Sequence, residues 1–99
     1  MITFVRSLVF APGKQAEVLS FTRLARKLLS EKHGIEMRAL VQVGGDPMRL
    51  DYAATFTSLA EFEQAYLKLL ADAEYLKLTA AYFPHIVVGS IRDQLWRDI

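Results

Sequence analysis

The stretch from Ile35 to Thr57, IEMRALVQVGGDPMRLDYAATFT, constrains the fold of this chain more than any other. Two runs of alternating side chains flank Gly44-Gly45-Asp46-Pro47, so the segment reads as two strands joined by a turn. The first, predicted over Glu36 to Val43, sets Met37, Ala39, Val41 and Val43 against Arg38, Leu40 and Gln42. The second, predicted over Arg49 to Thr57, sets Leu50, Tyr52, Ala54 and Phe56 against Asp51, Ala53, Thr55 and Thr57. The glycine pair lacks the spacing of a phosphate-cradling loop, and no helix follows it.

What flanks this hairpin is nearly symmetrical. Ile2 to Ala11 alternates as a strand, with Phe4, Arg6, Leu8 and Phe10 on one side and Thr3, Val5, Ser7, Val9 and Ala11 on the other. Pro12-Gly13 breaks it, and a helix is predicted from Lys14 to His33, its buried arc formed by Val18, Phe21, Leu24, Ala25, Leu28 and Leu29. Gly34 is placed to end that helix in a left-handed cap, with Ile35 folding back towards Leu29. After the hairpin, Ser58 and Glu61 form a capping box. Leu59, Phe62, Ala65, Tyr66, Leu69, Leu70 and Ala73 then share one helical arc. Asp72 can cap a fresh helix, so a break is expected near Ala71–Ala73, with helix resuming to Tyr82. Pro84 ends it, and a last strand is predicted over Ser90 to Ile99.

The order βαββαβ predicts an α+β, ferredoxin-like sandwich: a four-stranded antiparallel sheet with two helices on one face. At 99 residues the chain is one domain, residues 1–99. The opposite sheet face has no cover from its own chain. If it carries Phe4, Leu8 and Phe10, or Leu50, Tyr52 and Phe56, it exposes a larger apolar patch than monomers usually tolerate. With 53% apolar residues on a short chain, a homodimer that packs sheet against sheet as a dimeric α/β barrel is the expected solution.

Twelve basic and 11 acidic residues leave a net charge of +1, and the one basic cluster, Arg23, Arg26 and Lys27, lies on an outer helix face. No nucleic-acid partner is expected. The chain has no cysteine, which fits a reducing compartment. Its opening residues alternate and carry Arg6, unlike a signal peptide or membrane span, so a cytoplasmic protein with no membrane partner is expected.

Several short motifs recur together in one family: Arg6 on the first strand, Pro12-Gly13-Lys14 entering the first helix, and Ser58-Leu59-Ala60-Glu61 opening the second. Leu69-Leu70-Ala71-Asp72-Ala73-Glu74-Tyr75, followed by a proline, is another. Together they resemble the NIPSNAP-like proteins of the dimeric α/β-barrel superfamily. The resemblance spans nearly the whole chain and implies a ferredoxin-like dimer with a barrel-like core. It implies little chemistry, because that family's activity is poorly defined. The position two residues after Arg6, often tyrosine in the family, is Leu8 here.

Five residues are candidates for ligand contact. Arg6 sits mid-strand among apolar neighbours, where it either pairs with Asp51 or Asp93 or anchors an anionic ligand group. Tyr52, Phe56 and Trp96 could wall an apolar pocket inside the dimer barrel. His85, after Pro84, could serve as acid, base or haem ligand. With two distant histidines and no cysteine no metal site is expected, and nothing requires a cofactor. The expected function is binding of a small organic acid or hydrophobic metabolite. The alternative is a small cofactor-independent or haem-associated monooxygenase of the antibiotic-biosynthesis type. A haem-degrading site built on asparagine is ruled out, since the chain contains none.

Overall fold

β1 (Ile2–Val9) lies inside the sheet, antiparallel to both β3 (Arg49–Phe56) and β4 (Arg92–Arg97), while β2 (Arg38–Val41) pairs with the far edge of β3. The sheet order is therefore β2-β3-β1-β4. This computed structural model describes all 99 residues and places three helices between the strands. These are α1 (Gln15–His33), α2 (Leu59–Leu70) and α3 (Ala73–Tyr82), the last running into a 3₁₀ turn at Phe83–His85. The predicted βαββαβ order is the observed one, with the second helical stretch divided in two.

Register decides which face each strand offers to the helices. Leu8 stands opposite Leu50 and Phe4 opposite Ala54, and directly opposed residues share a face. Leu8, Phe10, Leu50 and Tyr52 pack with Val18, Phe21, Ala25, Tyr82 and Ile86 into one core. Both large apolar rows thus point at the helices, and neither lies on the uncovered face, where the expected sheet-to-sheet dimer required one of them. That face instead carries Thr3, Val5, Ser7 and Val9 of β1, Asp51, Ala53 and Thr55 of β3, Leu40 of β2, and Gln94 and Trp96 of β4. It is mixed rather than greasy. Phe10, Leu8, Leu50 and Val18 are the most completely buried large side chains, each contributing about 1.5–3 kcal/mol of transfer free energy.

The helix ends follow local chemistry. Gly34 adopts φ 64°, its amide donates to the Ser30 carbonyl at 3.2 Å, and the Ile35 amide donates to the Leu29 carbonyl at 3.0 Å. This is the predicted left-handed cap with the chain folded back. Ser58 Oγ accepts from the Glu61 amide at 3.1 Å, and the Glu61 carboxylate reaches back to the Thr57 amide at 2.7 Å. Asp72 Oδ1 accepts from the amides of Glu74 and Tyr75 at 3.0 and 3.3 Å, starting α3 where the break was expected.

Two helical arcs differ from expectation. Leu24 is 54% exposed, and Thr22 takes a buried place instead. Its hydroxyl donates to the Val18 carbonyl at 2.8 Å, so burying it leaves no unpaired proton. On α2, Leu59 and Leu70 are exposed and no residue is fully buried. The helix rests over the sheet on Phe62, Ala65, Tyr66 and Leu69, and a space remains beneath it.

Candidate functional site: a cavity between sheet and helices

That space is a cavity of about 100 Å³ within a single chain, enclosed by one sheet face and all three helices. Of its 20 lining residues 18 are hydrophobic, so its surface is almost wholly apolar. The room exists because Ala25, Ala54 and Ala65 stand where the elements meet, while larger rings hold the walls apart. Phe62 of α2 bridges Phe4 and Phe56 of the sheet at ring-centre distances of 5.3 and 5.4 Å. On the other side Phe21 stacks on Tyr82 at 3.8 Å with planes 10° apart.

The polar groups of the wall are few and mostly committed. Arg6 Nε and Nη2 donate to the two carboxylate oxygens of Asp93 at 2.8 and 2.9 Å, and the guanidinium lies 5.5 Å from the Phe4 ring centre. The hydrogen bonds to Asp93 drive the Arg6 pKa above its already high ordinary value, so the guanidinium stays charged. Asp51, the other candidate partner, is taken by Arg49 at 2.8 and 3.1 Å on the opposite face. Tyr66 and Tyr75 also approach Arg6.

All four tyrosines of the chain, Tyr52, Tyr66, Tyr75 and Tyr82, line this one cavity. Burial pushes the phenols of Tyr52, Tyr75 and Tyr82 up, so each stays neutral at physiological pH. Tyr52 OH lies 2.7 Å from Thr22 Oγ1. The Thr22 proton already goes to the Val18 carbonyl, so Tyr52 is the donor. Tyr82 OH is buried and has no hydrogen-bond partner in the protein.

Of the five sequence candidates, Arg6, Tyr52 and Phe56 line the cavity. His85 does not: it sits in the 3₁₀ turn outside the lining, with Nδ1 buried and unpartnered. Trp96 lies opposite Thr3 on the other face of the sheet and is 57% exposed. Sequence reasoning did not single out Tyr66, Tyr75 or Tyr82, although Tyr66 falls on the inner arc with Phe62 and Leu69. Their convergence is set by how α2 and α3 cross the sheet, which no local pattern records.

No group of three or more His, Cys, Asp or Glu side chains is placed to hold a metal ion. No helix is long and apolar enough to cross a membrane.

No protein-family model matches the sequence, and no curated protein does. Solved structures do match across the whole length. An uncharacterised NIPSNAP domain protein from Burkholderia xenovorans superposes with a TM-score of 0.82 at 15% identity, covering 100% of this chain and 95% of the other. A protein assigned as an antibiotic biosynthesis monooxygenase from Deinococcus radiodurans gives 0.76 at 10% identity, covering 100% and 93%. SnoaB of Streptomyces nogalater, a cofactor-independent oxygenase, gives 0.73 at 17% identity, covering 98% and 91%. The chain therefore has the ferredoxin-like α+β fold shared by NIPSNAP domain proteins and antibiotic biosynthesis monooxygenases.

Proposed function

We propose that this protein binds a small hydrophobic molecule in the cavity between its sheet and helices, and acts as a homodimer. The observation that carries the first part is the lining: four tyrosines and a paired arginine set into an otherwise apolar wall. A purely structural core is packed without such a space and without a buried hydroxyl lacking a partner, as at Tyr82. Size limits the ligand. A cavity of about 150 Å³ holds benzene, and this one measures about 100 Å³. A molecule held whole is therefore no larger than a single five- or six-membered ring, and a larger one has only one end inside. Half-exposed Phe83 and partly buried Ile91, both lining residues, mark the side on which the remainder would emerge.

The likeness in fold to SnoaB supports a second reading, a cofactor-independent oxygenase. In such a reaction the substrate supplies the electrons, and the protein must take a proton from it. No histidine or carboxylate lines the cavity; its titratable groups are Arg6 and tyrosines. None of these is a base near neutral pH, so binding is the better-supported reading. The partner is proposed from the uncovered sheet face, where Val5, Leu40 and Trp96 interrupt the polar residues, and a cytoplasmic setting fits the absence of cysteine.

Native mass spectrometry tests both parts. The expected spectrum is a dimer that releases a small neutral molecule on activation, and an Ala65→Phe variant, with the cavity filled, that carries none. A monomer would remove the dimer. A wild-type protein that neither carries a molecule nor takes one up from added benzene would remove the binding function.

A further inference from the structure

The cavity's polarity is specific enough to say what kind of molecule it selects, an inference that rests on the binding function above. Among the groups lining it, Tyr82 OH is the one buried side-chain polar atom without a partner. Tyr82 is 6% exposed and its ring is pinned flat against Phe21 at 3.8 Å, so the hydroxyl cannot swing out to solvent. Its neighbour Tyr52 gives its proton to Thr22 and lies near enough to act on the Tyr82 phenol, but the two hydroxyls do not reach the geometry of a hydrogen bond. A donor held this way costs stability until an acceptor meets it. The charges point the same way. Arg6 is matched by Asp93, and the phenols are neutral, so the wall offers no unbalanced positive charge to an acid. Bringing a carboxylate into such a space would strip its water without replacing it.

We propose that Tyr82 is the selecting hydrogen-bond donor of the cavity, and that the ligand is a small neutral molecule carrying a carbonyl oxygen, not an organic acid. The apolar part of the ligand lies among Phe21, Ala54, Phe56 and Ala65, and its oxygen accepts from Tyr82 OH.

Three five-membered-ring probes separate the possibilities: cyclopentanone, its hydrocarbon counterpart methylenecyclopentane, and cyclopentanecarboxylate. Each is titrated into the full-length protein and into Tyr82→Phe, following amide chemical shifts. The quantity read is the ratio of hydrocarbon Kd to ketone Kd, in which differences in probe hydration cancel between the two proteins. Loss of one buried hydrogen bond should lower that ratio about tenfold in Tyr82→Phe. The hydrocarbon should bind both proteins alike, and the carboxylate should bind neither measurably. The thermal midpoint of Tyr82→Phe should equal or exceed that of wild type, because an unpaired hydroxyl is removed.

An unchanged ratio, carboxylate binding tighter than ketone, or a lowered midpoint would each overturn the role of Tyr82. If the hydrocarbon still bound in those cases, the cavity would remain a binding site with different selectivity. If no probe produced saturable shifts in the wild-type protein, the binding function and this inference would fall together.

Discussion

Arg6 and Asp93 face each other across β1 and β4 and join through two parallel hydrogen bonds of 2.8 and 2.9 Å. The pair resolves the cost of a charge on the inner face of the sheet. Its exposure sets what it is worth: the side chains are 26% and 42% exposed. Asp93 can therefore be hydrated when its partner is removed, unlike a carboxylate sealed in a core. Arg6→Leu is expected to lower unfolding free energy by about 1 kcal/mol, and Asp93→Asn in the same chain to recover most of it. Denaturant unfolding of the two single variants and the double variant measures this. A loss several times larger, without recovery, would mean that Arg6 holds the cavity wall through Phe4 or the tyrosines.

The two inner tyrosines should respond oppositely to loss of a hydroxyl. Tyr52 donates to Thr22 in a buried contact of 2.7 Å, so Tyr52→Phe should cost about 1 kcal/mol. Tyr82→Phe removes a group with no partner and should cost nothing. Equal losses in a urea titration would contradict the hydrogen-bond assignment.

Ser58→Ala removes the acceptor of the Glu61 amide at the start of α2 and should cost about 1 kcal/mol. Because α2 has no fully buried residue, the effect should also appear as faster amide exchange in its first turn. Unchanged exchange there would place the helix start elsewhere.

Asp72 gives the fold a pH dependence of known sign. Its carboxylate accepts from His33 Nε2 at 2.7 Å and Lys32 Nζ at 3.0 Å while capping α3, and these contacts hold its pKa well below the usual carboxylate range. A carboxyl depressed on folding stabilises the protein above its unfolded pKa, about 3.9, and loses that contribution as pH falls towards its folded value. Wild type should therefore exceed Asp72→Asn in thermal midpoint above about pH 5. The margin should shrink steadily below about pH 4. A margin independent of pH would show that the charge of Asp72 contributes nothing beyond its cap.

The parts of this molecule that local chemistry controls were readable in the sequence. Gly34 as a left-handed cap, the Ser58 box and the Asp72 restart each involve groups within a few residues of one another. Arg6 could be narrowed to two partners because an inward charge needs a carboxylate on a neighbouring strand. What could not be read depended on register and packing. Leu8 opposite Leu50 puts both apolar rows on one face and leaves Trp96 on the other. The contact between His33 and Asp72 spans 39 residues, and the convergence of four tyrosines depends on helix placement. The apolar arc of α1 included Leu24 because helical spacing does not reveal how wide a stripe the neighbours cover.

The most direct test of a ligand site inside each chain is an amide-shift titration of the labelled protein with benzene. A ligand site there predicts saturable shifts at Ala25, Ala54 and Ala65, which surround the cavity, and their disappearance in Ala65→Phe. Absence of saturable shifts, or shifts confined to Val5, Leu40 and Trp96 on the uncovered face of the sheet, would contradict it.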